Sequence, residues 1–302
     1  MAKRCKSKGL APVELLFLIV AMILLVGLLV LLLPRRRSYA TRMVCGMNLS
    51  GIGKAMLLYA NDYRDELPRA GGRNSVWGQL ADWMAPDRER AYGLQADGAS
   101  GATTISSSLY LLVKYAEVPP KTFLCLSART RKDRERGVTE FKPGTYRLRD
   151  KRLTLTDFWD FGPDPSRHVS YAYQMIYGPH RLILWAEPNM AVAADRNPWM
   201  DAPAAKARDF SLFTPEIPPF NGTSDQARQG NSSRHEGDGQ MVMFLDTHVS
   251  FERRSYCGIE NDNIYTSWDG TDRVRGRPPK FGSRPAGERD SLLVNDPPAP
   301  RK

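Results

Sequence analysis

Three residues in the C-terminal part of the chain could act together chemically: His235, Asp246 and His248. Imidazole and carboxylate groups serve as metal ligands and as acid–base pairs in catalysis. The same groups also hold hairpins together through hydrogen bonds, which is a structural role. Because no further ligand cluster of fixed spacing accompanies them, we favour the structural role over a metal or catalytic site.

An oxygen-rich run at residues 260–263 is a second candidate for chemistry, with Asp269 further along. Calcium prefers carboxylate and amide oxygens of this kind. The spacing does not match a calcium-binding helix–loop–helix, and turns are commonly rich in such residues. We therefore expect a solvated turn, in which Asp262, Asn263 and Asp269 are weak calcium candidates, and we expect no other cofactor.

Three of the four cysteines, Cys45, Cys125 and Cys257, lie beyond the first forty residues, and Cys5 lies near the start. Neither a C-x-x-C motif nor a His/Cys cluster with zinc spacing occurs. Three cysteines can form one disulfide and leave one thiol. The sequence does not choose among the three possible pairs.

Motifs of the common enzyme classes are absent from the sequence. It contains no G-x-S-x-G, no H-E-x-x-H and no dinucleotide-binding glycine motif. The glycines before Lys54 do not form a phosphate-binding loop, because Ala55 follows the lysine where serine or threonine is required. We therefore expect a protein that is not an enzyme.

The N-terminal region contains an uncharged, mainly aliphatic run from Leu15 to Leu33, directly after the carboxylate of Glu14. A helix of this length covers roughly 28 Å, close to the thickness of a bilayer core. The run ends at Arg35–Arg37 without the small residues of a secretory cleavage site. These features predict a transmembrane helix.

The formal charge of +10 is concentrated around this apolar run. Seven cationic residues and Glu14 lie before Ser38, which gives a net charge of +6, and the rest of the chain carries only +4. Basic residues beside an apolar helix contact headgroups and set topology, and no nucleic-acid-binding motif is present. We expect no nucleic-acid partner and a single-pass inner-membrane protein, with its main domain in the periplasm or outside the cell.

Residues 38–66 are predicted to continue the helix. Leu49, Ile52, Met56 and Tyr59, followed by Tyr63, recur at spacings of three and four and form one apolar face. Glycines at 46, 51 and 53 each weaken a helix by roughly 1 kcal/mol relative to alanine. A packed partner surface must offset this cost, or the helix bends.

The second half of the chain has strand patterns. Alternation from Tyr171 to Tyr177 predicts a half-buried strand, and the apolar run 182–185 predicts a central one. Residues 241–245 and 249–251 flank Asp246–His248 as a predicted hairpin. Residues 186–235 are rich in proline and polar residues and are expected to be irregular, and the composition of residues 276–302 predicts a disordered tail.

The N-terminus resembles the class III signal of type IV pilins and pseudopilins: a short basic leader, Gly9, four residues, Glu14 and then the apolar run. The resemblance implies cleavage between Gly9 and Leu10 by a prepilin peptidase, and methylation of the new N-terminus. It also implies that Glu14, as the fifth mature residue, positions the subunit during assembly. Leu10 and Ala11-Pro12 depart from the usual Phe and Thr-Leu.

Residues 231–270 resemble the C-terminal part of pseudopilin-like proteins of the planctomycete type, which carry a His-x9-Asp-Gly motif. Here ten residues separate His235 from Asp246, and Thr247 replaces the glycine. Further resemblance lies in residues 45–63 and 122–127.

Together these features predict an α+β fold, in which a long N-terminal helix with a transmembrane first part leads into an antiparallel-sheet head. The predicted regions are a leader (1–9), a transmembrane helix (10–34), a continuing amphipathic helix (35–66), a head (67–275) and the tail (276–302). The predicted function is that of a structural subunit of a type II secretion-like or type IV pilus-like assembly, with the membrane, prepilin peptidase and other pseudopilin subunits as partners. Two alternatives remain: a permanently anchored exported binding domain, for instance for carbohydrate, and a metal-dependent hydrolase.

Overall fold

A computed structural model describes residues 12–72, 74–96, 100–125, 137–148, 151–180, 182–201, 208–268 and 270–298. The chain divides into two compact units, residues 1–40 and 41–302, which are described separately. In chain order the elements are α1 (Pro12–Asp62), β1 (Val76–Trp77), α2 (Arg88–Tyr92), β2 (Ala102–Thr103), α3 (Ile105–Tyr115), β3 (Arg147–Leu148), β4 (Lys151–Arg152), β5 (Tyr171–Gln174), β6 (Ala191–Asp195), α4 (Ser224–Arg228), β7 (Gln240–Phe244), β8 (Val249–Glu252) and β9 (Leu293–Val294).

The first unit contains the N-terminal part of α1. Pro12 is the first helical residue, where its missing N–H costs nothing, and Glu14 lies in the first turn. The large apolar side chains between Val13 and Leu28 are all exposed, from 44% at Ile19 to 75% at Phe17.

Among the residues that the structure describes, no helix is both long and apolar enough to cross a membrane. The predicted fold class is therefore wrong in its transmembrane first part. The single-pass membrane assignment and the inner-membrane localisation, which depend on that span, are contradicted by the same finding.

In the second unit, α1 continues to Asp62 and packs its predicted apolar face into the core. Leu49, Ile52, Met56 and Tyr59 are buried, whereas Tyr63 lies just beyond the helix end and is 40% exposed. A side chain added at Gly46 would meet Met241 of β7, and one added at Gly53 would meet Met243. The two glycines, seven residues apart on one helix face, let α1 approach β7 closely.

The main sheet has five antiparallel strands in the order β8-β7-β6-β5-β9. Alternate residues of β5 enter different cores: Tyr171 and Tyr173 belong to the cluster that contains α1 and α3, while Ala172 belongs to a smaller cluster with Trp199 and Phe213. Because both faces are covered, β5, β6 and β7 are buried along their whole length. The molecule is thus an α+β mixture with an antiparallel sheet, and the predicted hairpin is present as β7 and β8.

Two segments differ from the sequence predictions. Residues 182–185 form a turn rather than a central strand, with Trp185 81% exposed, and β6 occupies the place beside β5. The tail expected to be disordered contributes β9, whose Leu293 and Val294 are fully buried. Asp296 then accepts hydrogen bonds from the backbone N–H groups of Ile105 and Ser106 at the start of α3. Short apolar segments of this kind gain stability from tertiary partners that composition does not reveal.

Candidate functional site

The motif histidine His235 lies in a short turn, Arg234–Gly237, directly before β7. Its backbone has φ of 51°, in the left-handed region, which histidine adopts more readily than most residues. The side chain is completely buried. The turn therefore directs the imidazole into the core of the second unit.

The imidazole of His235 meets an acid that no sequence motif marks. Its Nε2 lies 3.1 Å from Oδ2 of Asp195, the last residue of β6. The same Oδ2 accepts a hydrogen bond of 2.8 Å from the N–H of Met241 in β7. Asp195 thus joins the histidine turn to two central strands. In the sequence, Asp195 is marked only by the small apolar run Ala191–Ala194 that precedes it. That run lies in a segment that was expected to be irregular.

A disulfide lies on the other side of the imidazole. Cys45 in α1 is bonded to Cys125, which follows the turn after α3, and both are buried. The Sγ of Cys125 lies 3.9 Å from Nε2 of His235. Of the pairings that the sequence left open, the structure has Cys45–Cys125, and Cys257 is a free thiol. Burial raises the pKa of the Cys257 thiol, so this group is a poor nucleophile at neutral pH.

Two more side chains pack beside this cluster, whose members are all buried. The ring of Phe251 in β8 lies 6.0 Å from that of His235, in an edge-to-face arrangement. The guanidinium of Arg42 stacks 4.1 Å from the centre of the same Phe251 ring, and it pairs with Asp238 at 2.8 Å. The cluster of Cys45, Cys125, His235 and Asp195 is therefore enclosed.

The other two motif residues, Asp246 and His248, lie together on the exposed turn between β7 and β8. His248 Nδ1 lies 2.5 Å from Asp246 Oδ1, and its ring stacks on Phe244 at 4.4 Å. Burial alone would raise the pKa of Asp246, but hydrogen bonds from the backbone and ring of His248 lower it. Thr247 takes φ of 69°, a conformation in which glycine is usual.

The structure does not bring His235 to Asp246 and His248. The histidine turn precedes β7, and the Asp246–His248 turn follows it, so the two lie at opposite ends of that strand. A five-residue strand is about 16 Å long, much longer than any metal–ligand or hydrogen-bond distance. The three motif residues therefore do not form one site.

An open cavity of about 350 Å³ adjoins the exposed turn, and Glu187, His248, Cys257 and Glu260 are among the residues that line it. Arg289 contacts both acids: it is 2.5 Å from Glu187 and 3.7 Å from Glu260. Arg289 thus holds both carboxylates as ion pairs, which is an arrangement that suits a polar ligand better than acid catalysis.

The described side-chain contacts of the calcium candidates are hydrogen bonds within the protein. Asp262 is buried, and its Oδ2 accepts a hydrogen bond of 2.8 Å from the N–H of Ser291. Burial, and then the neighbouring Asp290, raise the pKa of Asp262. The side-chain oxygen of Asn263 accepts from the N–H of Tyr265. Asp269 lies outside the described residues, as do the processing residues Gly9 and Leu10.

Comparisons of the chain with models of known protein families, with curated proteins and with solved structures found no match.

Proposed function

We propose that the chain is a structural, pseudopilin-like subunit that assembles with other copies or related subunits through the apolar N-terminal part of α1. The observation that carries this proposal is the exposure of the apolar side chains between Val13 and Leu28. Contiguous exposed apolar surface of this extent is typical of an interaction site. The segment is apolar all round, and such a helix is stable only when it is covered on all sides.

Apolarity on every face favours an assembly of several helices over a simple dimer. One partner helix covers a single stripe, whereas a filament surrounds each helix with copies of itself. The resemblance of the N-terminal sequence to pilin signals points to the same arrangement. In the proposed assembly, cleavage after Gly9 leaves a free amine on each subunit, and Glu14 of a neighbouring subunit pairs with it.

The arrangement of the second unit fits a structural role. The disulfide Cys45–Cys125 and the paired glycines attach the C-terminal half of α1 firmly to its own core. The apolar N-terminal part of α1, which belongs to the first unit, is the part that we assign to contacts with other subunits. The proposed role is not enzymatic and involves no nucleic acid.

The test compares an aspartate placed in the apolar segment with one placed elsewhere on the same helix. Leu24→Asp changes a residue that is 69% exposed in the N-terminal part, and Leu58→Asp changes one that is 66% exposed in the C-terminal part. We expect the full chain to form multimers in analytical ultracentrifugation, Leu24→Asp to abolish them and Leu58→Asp to leave them intact. Equal behaviour of the two variants would contradict assembly through this segment.

N-terminal sequencing and a Glu14 variant examine the rest of the proposal. Chains from the producing cells should begin at Leu10, and Glu14→Ala should reduce incorporation into assemblies more than Glu14→Gln. A mature chain that begins before Leu10 would refute processing after Gly9. Assembly through the apolar segment is tested independently, by the ultracentrifugation of the Leu24 and Leu58 variants.

The cavity beside His248 favours a second candidate function, an exported binding domain. Its lining combines the imidazole of His248, which covers the ring of Phe244, with the polar groups of Asn189 and Glu187, and polar groups of this kind can hydrogen-bond sugar hydroxyls. Isothermal titration with simple sugars tests this candidate: saturable binding that is lost in His248→Ala would support it, and no binding heat would refute it.

A further inference from the structure

We propose that the reduced chain holds one zinc ion at the enclosed cluster, with Cys45, Cys125 and His235 as ligands and Asp195 as the fourth. The two Sγ atoms and the Nε2 of His235 all lie within 4.8 Å of one another. Thiolates and an imidazole are the ligand types that zinc prefers, and structural zinc sites commonly have four ligands. The inference is independent of assembly through α1.

The distances around His235 already resemble those of a tetrahedral zinc site. With ordinary zinc–ligand distances, a nitrogen and a sulfur ligand lie about 3.6 Å apart, and a nitrogen and an oxygen ligand about 3.3 Å apart. The observed separations from Nε2 are 3.9 Å to Cys125 Sγ and 3.1 Å to Asp195 Oδ2. His235 and Cys125 therefore need little movement to bind one ion. Asp195 is not among the residues whose ligand atoms all lie within 4.8 Å of one another, so its carboxylate must move towards the sulfur atoms to complete the site.

The two sulfur atoms must separate when the disulfide is broken. In a tetrahedral site they would lie about 3.8 Å apart. The Cα atoms of Cys45 and Cys125 are 5.0 Å apart, so rotation about the Cα–Cβ bonds provides that separation without moving the backbone. A metal site can thus form on the framework that the disulfide occupies in the oxidised chain.

An unpartnered polar atom supplies independent support. Among the described residues, Oδ1 of Asp195 is buried and has no hydrogen-bond partner. Buried polar atoms are nearly always paired, and exceptions often mark an absent ion or water. A zinc ion bound by Oδ1 of Asp195 would give this oxygen a partner, while Oδ2 keeps its hydrogen bond from the N–H of Met241.

Zinc and the disulfide exclude each other. A dithiol reductant breaks the Cys45–Cys125 bond, gives both sulfurs a proton and is itself oxidised to a disulfide. Zinc then displaces the two thiol protons into solvent and binds two thiolates. Either state connects α1 to the segment after α3, so the metal would hold the fold together before the disulfide forms.

The burial of the cluster determines how the test is run. The full chain is unfolded, reduced, and refolded without metal or with one equivalent of Zn²⁺ or Co²⁺. We expect one metal ion per reduced chain and none per oxidised chain. The Co²⁺ form should show the intense thiolate charge-transfer band and the visible bands of a tetrahedral site. Two protons should be released per ion.

Variants separate this site from adventitious binding. His235→Ala and Asp195→Asn each remove one proposed ligand, and each should weaken zinc affinity at least tenfold, the smallest effect seen even for outer-shell partners. His248→Ala and Cys257→Ser, which alter the same residue types elsewhere in the second unit, should leave affinity unchanged. Circular dichroism of each metal-free variant verifies folding, and the comparison of oxidised with reduced wild type requires no variant at all.

The proposal is overturned if the reduced wild type binds no more zinc than the oxidised chain. It is also overturned if His248→Ala reduces affinity as much as His235→Ala does, or if Co²⁺ shows no thiolate band. None of these outcomes affects the ultracentrifugation test of assembly, because the Leu24 and Leu58 variants leave the cluster intact.

Discussion

Replacement of individual glycines in α1 should separate helix propensity from packing against the sheet. Alanine in place of glycine in a helix interior gains about 1 kcal/mol from propensity, whether at Gly51 or at Gly53. At Gly51 the new Cβ meets nothing closer than 4.0 Å, the methyl group of Thr122. Gly51→Ala should therefore raise the free energy of unfolding by about 1 kcal/mol.

At Gly53 the same change meets the core. The new Cβ would lie 2.7 Å from Sδ of Met243, which is buried in β7, and 3.4 Å from Cβ of Thr247. Carbon and sulfur atoms prefer separations of about 3.5–4.0 Å, so the methionine must move by roughly 1 Å. Overpacking of this kind costs about 1–3 kcal/mol. Gly53→Ala should therefore be between neutral and about 2 kcal/mol less stable than wild type.

Urea unfolding of the oxidised full chain, followed by circular dichroism, measures both variants. The difference between them removes the shared propensity gain and leaves the packing cost, about 1–3 kcal/mol. Gly46→Ala is a graded control, because the one close contact of its new Cβ would be the terminal methyl group of Met241, which can rotate away, and Val249 would lie at an ordinary 3.9 Å. If Gly53→Ala stabilises the chain as much as Gly51→Ala, the close approach of α1 to β7 is incorrect.

Two further predictions concern the disulfide and the buried acids. Cys45 and Cys125 are 80 residues apart. The double variant Cys45→Ser/Cys125→Ser should therefore lower the free energy of unfolding by about 4.5 kcal/mol in metal-free buffer. A loss below about 1 kcal/mol in urea unfolding would contradict a stabilising role of the disulfide. Burial, and then the charge of Asp296, raise the pKa of Asp160 from 3.8 to about 7. The folded chain therefore holds the Asp160 proton more tightly than the unfolded chain does. The stability that Asp160 contributes is fully present below about pH 4. It is lost as pH rises towards 7, where the free energy of unfolding falls by up to about 4 kcal/mol. Asp160→Asn should flatten the pH dependence of the urea midpoint over this range, and an unchanged slope would show that Asp160 is ionised throughout.

The local patterns of the sequence were sufficient for several elements. The three- and four-residue spacing of Leu49, Ile52, Met56 and Tyr59 predicted a buried helix face, and the strand pattern around Asp246–His248 predicted the hairpin of β7 and β8. Both features depend on contacts between residues close in sequence, so periodicity reveals them. The transmembrane prediction also followed from a local run of residues, and the structure does not support it.

The arrangement of the candidate site depended on contacts between distant segments. His235 was a motif residue in the sequence, but its partners Asp195 and Cys125 lie 40 and 110 residues earlier in the chain. Likewise, β9 looked like part of a disordered tail, and it is ordered through its pairing with β5. The sequence determined which residues could bind a metal or form a disulfide. Only the tertiary structure decided which of them meet, because the order of strands in a sheet sets distances that spacing along the chain does not contain.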